Sequence, residues 1–184
     1  MMLATKGTLA DLSRPGFLID TKYDGWRAVA KRSGNHVTLT SRQGNDISAY
    51  APEVCEALLE LPMDGFVLDC ELVTYDPNGI AQLPLMQMPI GRSLVAFDAL
   101  ELTRCGECLD LRPAPLASRK RLLAMLVDTY SPLITCSAWV EQDGPAFFND
   151  IVANAGEGVI AKDAAASYTS GRSCAWRKWK PHYA

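Results

Sequence analysis

The stretch FLIDTKYDGWRAVAKRSGNHVTLTS, residues 17–41, indicates the fold class most directly. It begins with a short apolar run at 17–20, continues through a polar connection, and ends in two β-prone runs at 27–32 and 36–41. Ser33-Gly34-Asn35 separates the last two runs and fits a tight hairpin turn. The stretch therefore predicts three short strands, of which the last two pair in an antiparallel hairpin.

The rest of the chain repeats this pattern of short strands separated by turn residues. Further strands are predicted over 66–75, 94–99, 133–139, 158–162 and 175–180. Helices are predicted from apolar spacing over 54–61, 118–127 and 145–156, the last entered through Pro145 and ended by Gly156. Because strands outnumber helices and do not alternate with them, we predict an α+β fold with mainly antiparallel sheets flanked by helices.

Composition and charge narrow the class of protein. The chain has 184 residues and is 48% hydrophobic, enough for one packed domain or two small lobes. It has no apolar run of ~18 residues and no signal-peptide pattern at its start. We therefore expect a soluble cytoplasmic protein with no membrane partner. The net charge of −3 argues against a broadly basic nucleic-acid surface, although Arg172, Arg177, Lys178 and Lys180 form a local basic cluster.

The cysteines and glycines offer two weaker motifs. The six cysteines lack the dense spacing of a disulfide framework, so we interpret them as reduced thiols. Cys105 and Cys108 form a lone CxxC, for which a turn with two ordinary cysteines is favoured over a zinc site. The GxGxxA pattern at 156–161 follows a helix and precedes a strand, the reverse of the order that a dinucleotide-binding site requires.

Lys22-Tyr23-Asp24-Gly25-Trp26-Arg27 brings a lysine, a carboxylate, a glycine and an arginine together between two predicted strands. Functional residues favour such connections, although an exposed turn would look the same. In the run 66–73, alternation places Asp69 and Glu71 on one face with apolar neighbours. That pattern suggests a partly buried cleft, and a solvated strand face is the alternative.

Three later segments add an aromatic ring, an acid and several lysines. Alternation separates Phe97 from Asp98, and the ring alone fits a core position as well as a ligand platform. Glu157 and Lys162 bracket an apolar strand. Lys178 and Lys180 lie on one strand face, where an anion between them would relieve their repulsion, although a lysine-protected sheet edge is the alternative.

Taken together, KYDGWR, LDCELV, VAFDAL, EGVIAK and WRKWK resemble, in order and approximate spacing, the nucleotidyltransferase motifs of ATP-dependent DNA ligases and the related capping and RNA-ligase superfamily. The stretch SRQGND at 41–46 also resembles the SRNGND stretch of bacterial ligases of the end-joining type. The resemblance covers nearly the whole chain. It implies that residues 1–184 form an adenylation (nucleotidyltransferase, ATP-grasp-like) domain, with no OB-fold domain in this sequence.

The resemblance also implies the chemistry. Lys22 would attack the α-phosphate of ATP and hold AMP as a phosphoramidate, while Lys178 and Lys180 neutralise the phosphate. Glu157, and Glu71 as a second carboxylate, are the implied metal-associated residues, with Mg²⁺ as the ion and Mn²⁺ as an alternative. The implied nucleotide-binding residues are Asp20 and Thr21 at the adenine edge, Phe97 under the adenine ring, Glu71 at the ribose, and Arg27, Arg42, Lys162, Lys178 and Lys180 at the sugar or phosphates.

The sequence departs from the family pattern in two places. Asp69-Cys70-Glu71 stands where the family usually has DGE, and Cys70 is expected to face the core. Ligases of this class continue past WxKxK into an OB-fold, so we expect either an excised or naturally isolated catalytic domain or an OB-fold domain or protein supplied in trans. The expected substrate is nicked double-stranded DNA, sealed after AMP passes to a 5′-phosphate. An RNA ligase, a stand-alone adenylyltransferase and a non-catalytic nucleotide-binding module are the alternatives.

Overall fold

The computed structural model describes residues 1–88, 91–127 and 130–181. Within them, the α-helices are α1 (Pro52–Leu59), α2 (Leu116–Val127) and α3 (Gly144–Ala153). The strands are β1 (Met2–Lys6), β2 (Phe17–Thr21), β3 (Trp26–Ser33), β4 (His36–Ser41), β5 (Gly65–Val73), β6 (Ser93–Arg104), β7 (Glu107–Asp110), β8 (Ile134–Cys136), β9 (Trp139–Val140), β10 (Val159–Asp163) and β11 (Gly171–Trp179). No helix in this described part of the chain is long and apolar enough to cross a membrane.

The strands form two sheets. The first sheet has five strands in the order β1-β11-β10-β2-β9. The second has six, in the order β4-β3-β5-β6-β7 with β8 beside β6. Parallel pairing occurs between β1 and β11 and between β6 and β8, and the other described pairs are antiparallel. The predicted α+β class with mainly antiparallel sheets is confirmed.

Three apolar clusters arrange the sheets and helices in layers. On the outer face of the second sheet, Leu58 of α1 and Leu123 of α2 pack with Leu68 of β5. On the outer face of the first sheet, α3 packs over β2 and β10. The third cluster lies between the sheets and joins residues of both. The inner faces of the sheets therefore face each other across a partly apolar space.

One predicted strand is wrong. Residues 133–139 do not form a single strand, because β8 belongs to the second sheet and β9 to the first. The chain crosses between the sheets at 137–138. There the Ser137 amide donates to the Ala96 carbonyl at 2.8 Å, and the Ala138 carbonyl accepts from the Thr21 amide at 3.0 Å. Each backbone group at the crossing is thus satisfied by a different sheet.

Two strands were not predicted, β1 and β7. β1 lies at the edge of the first sheet, and its partner β11 is more than 160 residues away in sequence. β7 pairs with the end of β6 through a turn at Cys105-Gly106, where both residues have positive φ. The CxxC motif is therefore an exposed hairpin turn with free thiols. Among the described residues, no group of three or more His, Cys, Asp or Glu side chains could hold a metal ion.

A fully buried ion pair fastens α2 to the second sheet. Arg119 donates from Nε and Nη2 to the two carboxylate oxygens of Asp98, at 2.7 and 2.8 Å. Both side chains are 0% exposed. Removing one partner of such a pair leaves an uncompensated buried charge.

We expect Asp98→Ala to lower the free energy of unfolding by about 3–5 kcal/mol, because Arg119 then loses its only carboxylate partner in the described core. Urea denaturation followed by circular dichroism measures this change. Glu107→Ala, on exposed β7, is the matched control and should shift stability by no more than about 0.5 kcal/mol. Equal effects of the two substitutions would contradict the expectation.

Candidate active site

Lys22 lies where β2 ends, and backbone pairing fixes its position. Its amide donates to the carbonyl of Gly158 at 2.9 Å, immediately before β10. Its side-chain amine donates to Oε2 of Glu157, and the amine of Lys180 donates to Oε1 of the same carboxylate. One acid therefore lies between two lysines that come from different motifs. All three side chains are partly exposed, between 17% and 28%.

Two glycines allow the backbones to approach closely at this point. Gly158 has a φ of +139°, and a Cβ there would lie 2.3 Å from the carbonyl oxygen of Trp179. A Cβ at Gly25 would lie 2.3 Å from the carbonyl oxygen of Leu72. Contacts this short are not possible for any other residue. The glycines of two sequence motifs are thus required for β2, β10 and β11 to meet beside Lys22 and for β3 to pair with β5.

A cavity of about 240 Å³ opens between the inner faces of the two sheets, next to Lys22. Its lining residues are Leu3, Ala4, Thr21, Lys22, Tyr23, Arg27, Arg42, Glu71, Phe97, Ile160, Lys162, Arg172 and Lys178. The structure therefore brings most of the predicted site residues to one place. Glu157 and Lys180 reach the edge of this place through their contacts with Lys22.

Two β-bulges direct Phe97 into the space between the sheets. In the pairing of β5 with β6, Asp69 lies opposite Asp98 and Cys70 opposite Ala96, so Phe97 has no partner residue on β5. Leu100 occupies the same position in the second bulge. An extra residue in one strand re-aims side chains. Phe97 and Leu100 consequently both join the cluster between the sheets, although they are three residues apart.

Arg27 is held by a carboxylate and lies beside the Phe97 ring. It donates from Nε and Nη2 to Asp69 at 2.6 and 2.7 Å, and Nη2 also donates to the carbonyl of Met2 at 3.0 Å. Its guanidinium carbon lies 4.5 Å from the centre of the Phe97 ring, within cation–π range. The Tyr168 hydroxyl also donates to Oδ2 of Asp69, at 2.6 Å. The arginine is therefore fixed in the wall of the cavity.

Asp20 and Lys162 lie deep in the same wall. Lys162 lines the cavity, yet it is 1% exposed and its amine is 2.6 Å from Oδ2 of Asp20. The amine also lies 4.7 Å from the centre of the Phe97 ring and 4.5 Å from that of Trp176. Burial lowers the pKa of Lys162, opposed by the charge of Asp20. Asp20 does not itself line the cavity.

The carboxylate of Glu71 lines the cavity, and its pKa is raised. Burial raises the pKa of Glu71 to about 7, and the positive charges of Lys22 and Arg27 oppose this rise. Burial disfavours the charged form, and here it outweighs two nearby cations. Glu71 therefore titrates near neutral pH in the folded protein.

Five cavity residues were not assigned to the nucleotide site from the sequence: Leu3, Ala4, Tyr23, Ile160 and Arg172. Leu3 and Ala4 belong to β1, a strand that was not predicted. Ile160 lies inside a recognised motif, and its alternation with Lys162 on β10 could have placed it on the inner face. Arg172 belongs to the local basic cluster. In contrast, Arg177 of that cluster turns away and pairs with Asp11.

Comparisons with known proteins show the family to which the chain is similar. The family model described as "ATP dependent DNA ligase domain" matches residues 1–180. A probable DNA ligase of Streptomyces avermitilis is 34% identical in an alignment that covers 98% of this chain and 38% of the relative. The multifunctional non-homologous end joining protein LigD of Mycobacterium bovis is 32% identical, over 97% of this chain and 23% of the relative. The chain thus spans less than half the length of these curated relatives.

Two solved structures are also similar. A mycobacterial DNA ligase D complexed with ATP and MES has a TM-score of 0.81 and 30% sequence identity, covering 98% of this chain and 59% of the other. The ligase domain of M. tuberculosis LigD has a TM-score of 0.83 and 31% identity, covering 97% and 59%.

The raised pKa of Glu71 predicts how stability depends on pH. Its folded-state pKa, about 7, lies above the ordinary value of 4.5, so its contribution to stability is complete below pH 4.5 and is lost as pH rises through 7. Glu71→Gln should remove this loss, and the variant should gain on the order of 2 kcal/mol over wild type between pH 5 and pH 8.

Urea denaturation at several pH values measures the difference, with Glu56→Gln on α1 as the control. A constant difference between wild type and Glu71→Gln across this range would show that Glu71 does not titrate there.

Proposed function

The chain belongs to the family of ATP-dependent DNA ligase domains, and from this premise we propose that it is a catalytic domain that joins AMP to Lys22 and passes it to the 5′-phosphate of nicked DNA. The observation that carries the proposal is the position of the Lys22 amine. Lys22 lines a cavity whose other lining residues include the Phe97 ring, the Glu71 carboxylate and several cationic side chains. Its amine donates a hydrogen bond to Glu157.

In the proposed first step, the Lys22 nitrogen attacks the α-phosphorus of ATP. A nitrogen–phosphorus bond forms, the bond to the bridging oxygen breaks, and pyrophosphate leaves with the bonding electrons. Glu157 is in hydrogen-bond contact with the amine, so its carboxylate is the immediate acceptor for the proton that Lys22 must lose. Lys180 shares Glu157 and keeps a positive charge beside the reacting atoms.

The cavity suggests how the nucleotide is held. We assign the adenine ring to the space beside Phe97 and Ile160, and the ribose hydroxyls to Glu71. Lys178, Arg42 and Arg172 also line the cavity and are the cations available to the phosphates. Arg27 is already bound to Asp69 beside the Phe97 ring, so we assign it to supporting that ring rather than to a phosphate.

The base edge would meet Asp20, Thr21 and Lys162. Lys162 is paired with Asp20 deep between the sheets. We therefore assign Lys162 to the base rather than to the phosphates. This assignment differs from the role that the motif implies, and it follows from the burial of the side chain.

A divalent cation fits this site as part of the substrate complex. Glu157 and Glu71 supply carboxylate oxygens near the reacting lysine, and Mg²⁺ typically uses one or two carboxylates together with phosphate oxygens and water. When bound, Mg²⁺ or Mn²⁺ would neutralise the triphosphate and the departing pyrophosphate.

The proposed partner is nicked double-stranded DNA. The relatives that carry this domain are longer: the structure of DNA ligase D extends well beyond the part that this chain covers. We propose that an OB-fold, in the same protein or supplied in trans, binds the DNA duplex together with this domain.

Incubation with ATP and Mg²⁺ should add one AMP to the intact mass of the protein, and Lys22→Ala should abolish this addition, because it removes the amine that both lines the cavity and contacts Glu157. Intact-protein mass spectrometry makes the measurement. Lys31→Ala, an exposed lysine on β3, is the matched control and should be adenylated like wild type. Unmodified wild type, even with an added OB-fold protein, would favour a nucleotide-binding module without turnover.

Protein that already carries AMP should transfer it to the 5′-phosphate of nicked DNA and seal the nick. Starting from the adenylated protein separates this step from the first one, which depends more on the OB-fold. Gel analysis of end-labelled nicked duplexes measures both products. Sealing of nicked RNA in preference to nicked DNA would replace the DNA assignment with an RNA ligase.

A further inference from the structure

Strand β1 places Lys6 on the inner face of the first sheet. Met2 lies in the apolar cluster between the sheets and Ala4 packs against it. Because alternate residues of a strand share a face, Lys6 is the next side chain of β1 with this orientation. The pairing with β11 leads to the same conclusion, because Lys6 lies directly opposite Lys178, which lines the cavity. Two lysines therefore lie side by side on the face that carries the cavity.

Lys6 extends the cationic wall of the cavity outward. It is exposed and does not itself line the cavity, although Ala4 before it and Lys178 opposite it both do. Like charges directly opposite each other in a sheet are destabilising. An anion that contacts both amines would remove this repulsion. The position therefore suits a phosphate group that lies just outside the cavity.

The order of the strands gives the direction from the reacting lysine to this pair. Lys22 follows directly after β2, and the strands that come next across the first sheet are β10, β11 and β1. Neighbouring strands are ~4.8 Å apart, so β1 lies about 14 Å from β2 across the sheet. Lys178, on β11, lies between Lys22 and Lys6.

The inference rests on the proposed function, in which the Lys22 nitrogen attacks the α-phosphorus of ATP. In such a displacement the attacking and leaving atoms lie roughly in line, on opposite sides of the phosphorus. With the α-phosphate beside Lys178, a leaving group opposite Lys22 points across β11 towards β1. Lys6 is the next side chain on this face in that direction.

We propose that Lys6 is a further substrate-binding residue, which holds the β- and γ-phosphates of ATP and then the departing pyrophosphate. As the bond from the α-phosphorus to the bridging oxygen breaks, that oxygen keeps the bonding electrons, and negative charge grows on the pyrophosphate. The Lys6 ammonium compensates this charge. Lys178 lines the cavity and stays with the α-phosphate. Lys6 belongs to none of the five sequence motifs.

The substitution Lys6→Met is suited to a test because the position is exposed. It removes the repulsion between Lys6 and Lys178, so the variant should fold and should be no less stable than wild type. Thermal unfolding followed by circular dichroism checks this. Lys31→Met, which replaces an exposed lysine on β3 of the second sheet, is the matched control.

The reverse of the first step isolates the proposed contact. Protein that carries AMP on Lys22 should form ATP when inorganic pyrophosphate and Mg²⁺ are added, and initial rates give kcat/KM for pyrophosphate. We expect Lys6→Met to lower this kcat/KM about tenfold, the lower end of the effect of losing a hydrogen bond between charged groups. Lys6→Arg keeps the charge and should retain most of the wild-type rate, and Lys31→Met should match wild type.

Nick sealing by the adenylated protein separates pyrophosphate from the phosphates of DNA. Lys6→Met should seal nicked DNA at the wild-type rate, because no pyrophosphate takes part in that step. Slower sealing with an unchanged pyrophosphate reaction would assign Lys6 to the DNA backbone and overturn the pyrophosphate assignment. An equal loss in both reactions would also overturn it. No change in either would leave Lys6 as a charge that protects the edge strand β1, with the same consequence.

Binding measurements separate this inference from the proposed function. Calorimetry with inorganic pyrophosphate and Lys22→Ala, which lacks the reacting amine, should show that adding Lys6→Met weakens binding about tenfold. A wild type that forms no adduct, while this dependence on Lys6 is seen, would remove the proposed function and leave the pyrophosphate site standing. Equal binding with and without Lys6→Met would overturn the site even if wild type forms the adduct.

Discussion

Carboxylates buried between the two sheets each need a cation from another element, and this pairing sets the shape of the cavity. Asp69 is held by Arg27, Asp20 by Lys162 and Lys120, and Asp98 by Arg119. Arg119 and Lys120 are adjacent on α2 and pair with different sheets, Asp98 of the second and Asp20 of the first. A buried charge that loses its partner is strongly destabilising, so these two pairs oppose movement of one sheet relative to the other. The cationic and aromatic side chains in the wall of the cavity are therefore held in place by contacts within the protein.

Much of the fold follows from local sequence patterns. Alternation in β5 correctly sends Leu68 and Leu72 to the helices and Asp69 to the inner face, because a pleated strand leaves no other choice. The three helices were likewise predicted from apolar spacing. The missed features are non-local. β1 is a strand because it pairs with β11, which is distant in sequence. The chain crosses between the sheets at 137–138 because the Ser137 amide pairs with the second sheet and the Ala138 carbonyl with the first.

In the site, too, some features follow from local sequence and others depend on non-local pairing. The motifs predicted which residues gather, because together they resemble the motifs of ATP-dependent DNA ligases. The motifs could not predict how deeply each side chain is buried. Lys162 lies on β10, which is the central strand of the first sheet, and a central position is a property of topology rather than of the motif. The orientation of Phe97 also escapes simple alternation, because two bulges place it and Leu100 on one face.

Strand register brings the side chains of Lys22, Glu157 and Lys180 together. Thr21 lies opposite Val159, and Val159 opposite Trp179. The next position along this ladder holds Lys22, Gly158 and Lys180, and the Lys22 amide already donates to the Gly158 carbonyl. A one-residue slip of any strand would turn its side chains to the opposite face. Since Gly158 alone permits this approach to Trp179, one glycine and one register bring together groups that the sequence separates by more than 130 residues. Lys22, the proposed nucleophile, is therefore positioned by regular sheet structure, which holds geometry more rigidly than a loop could.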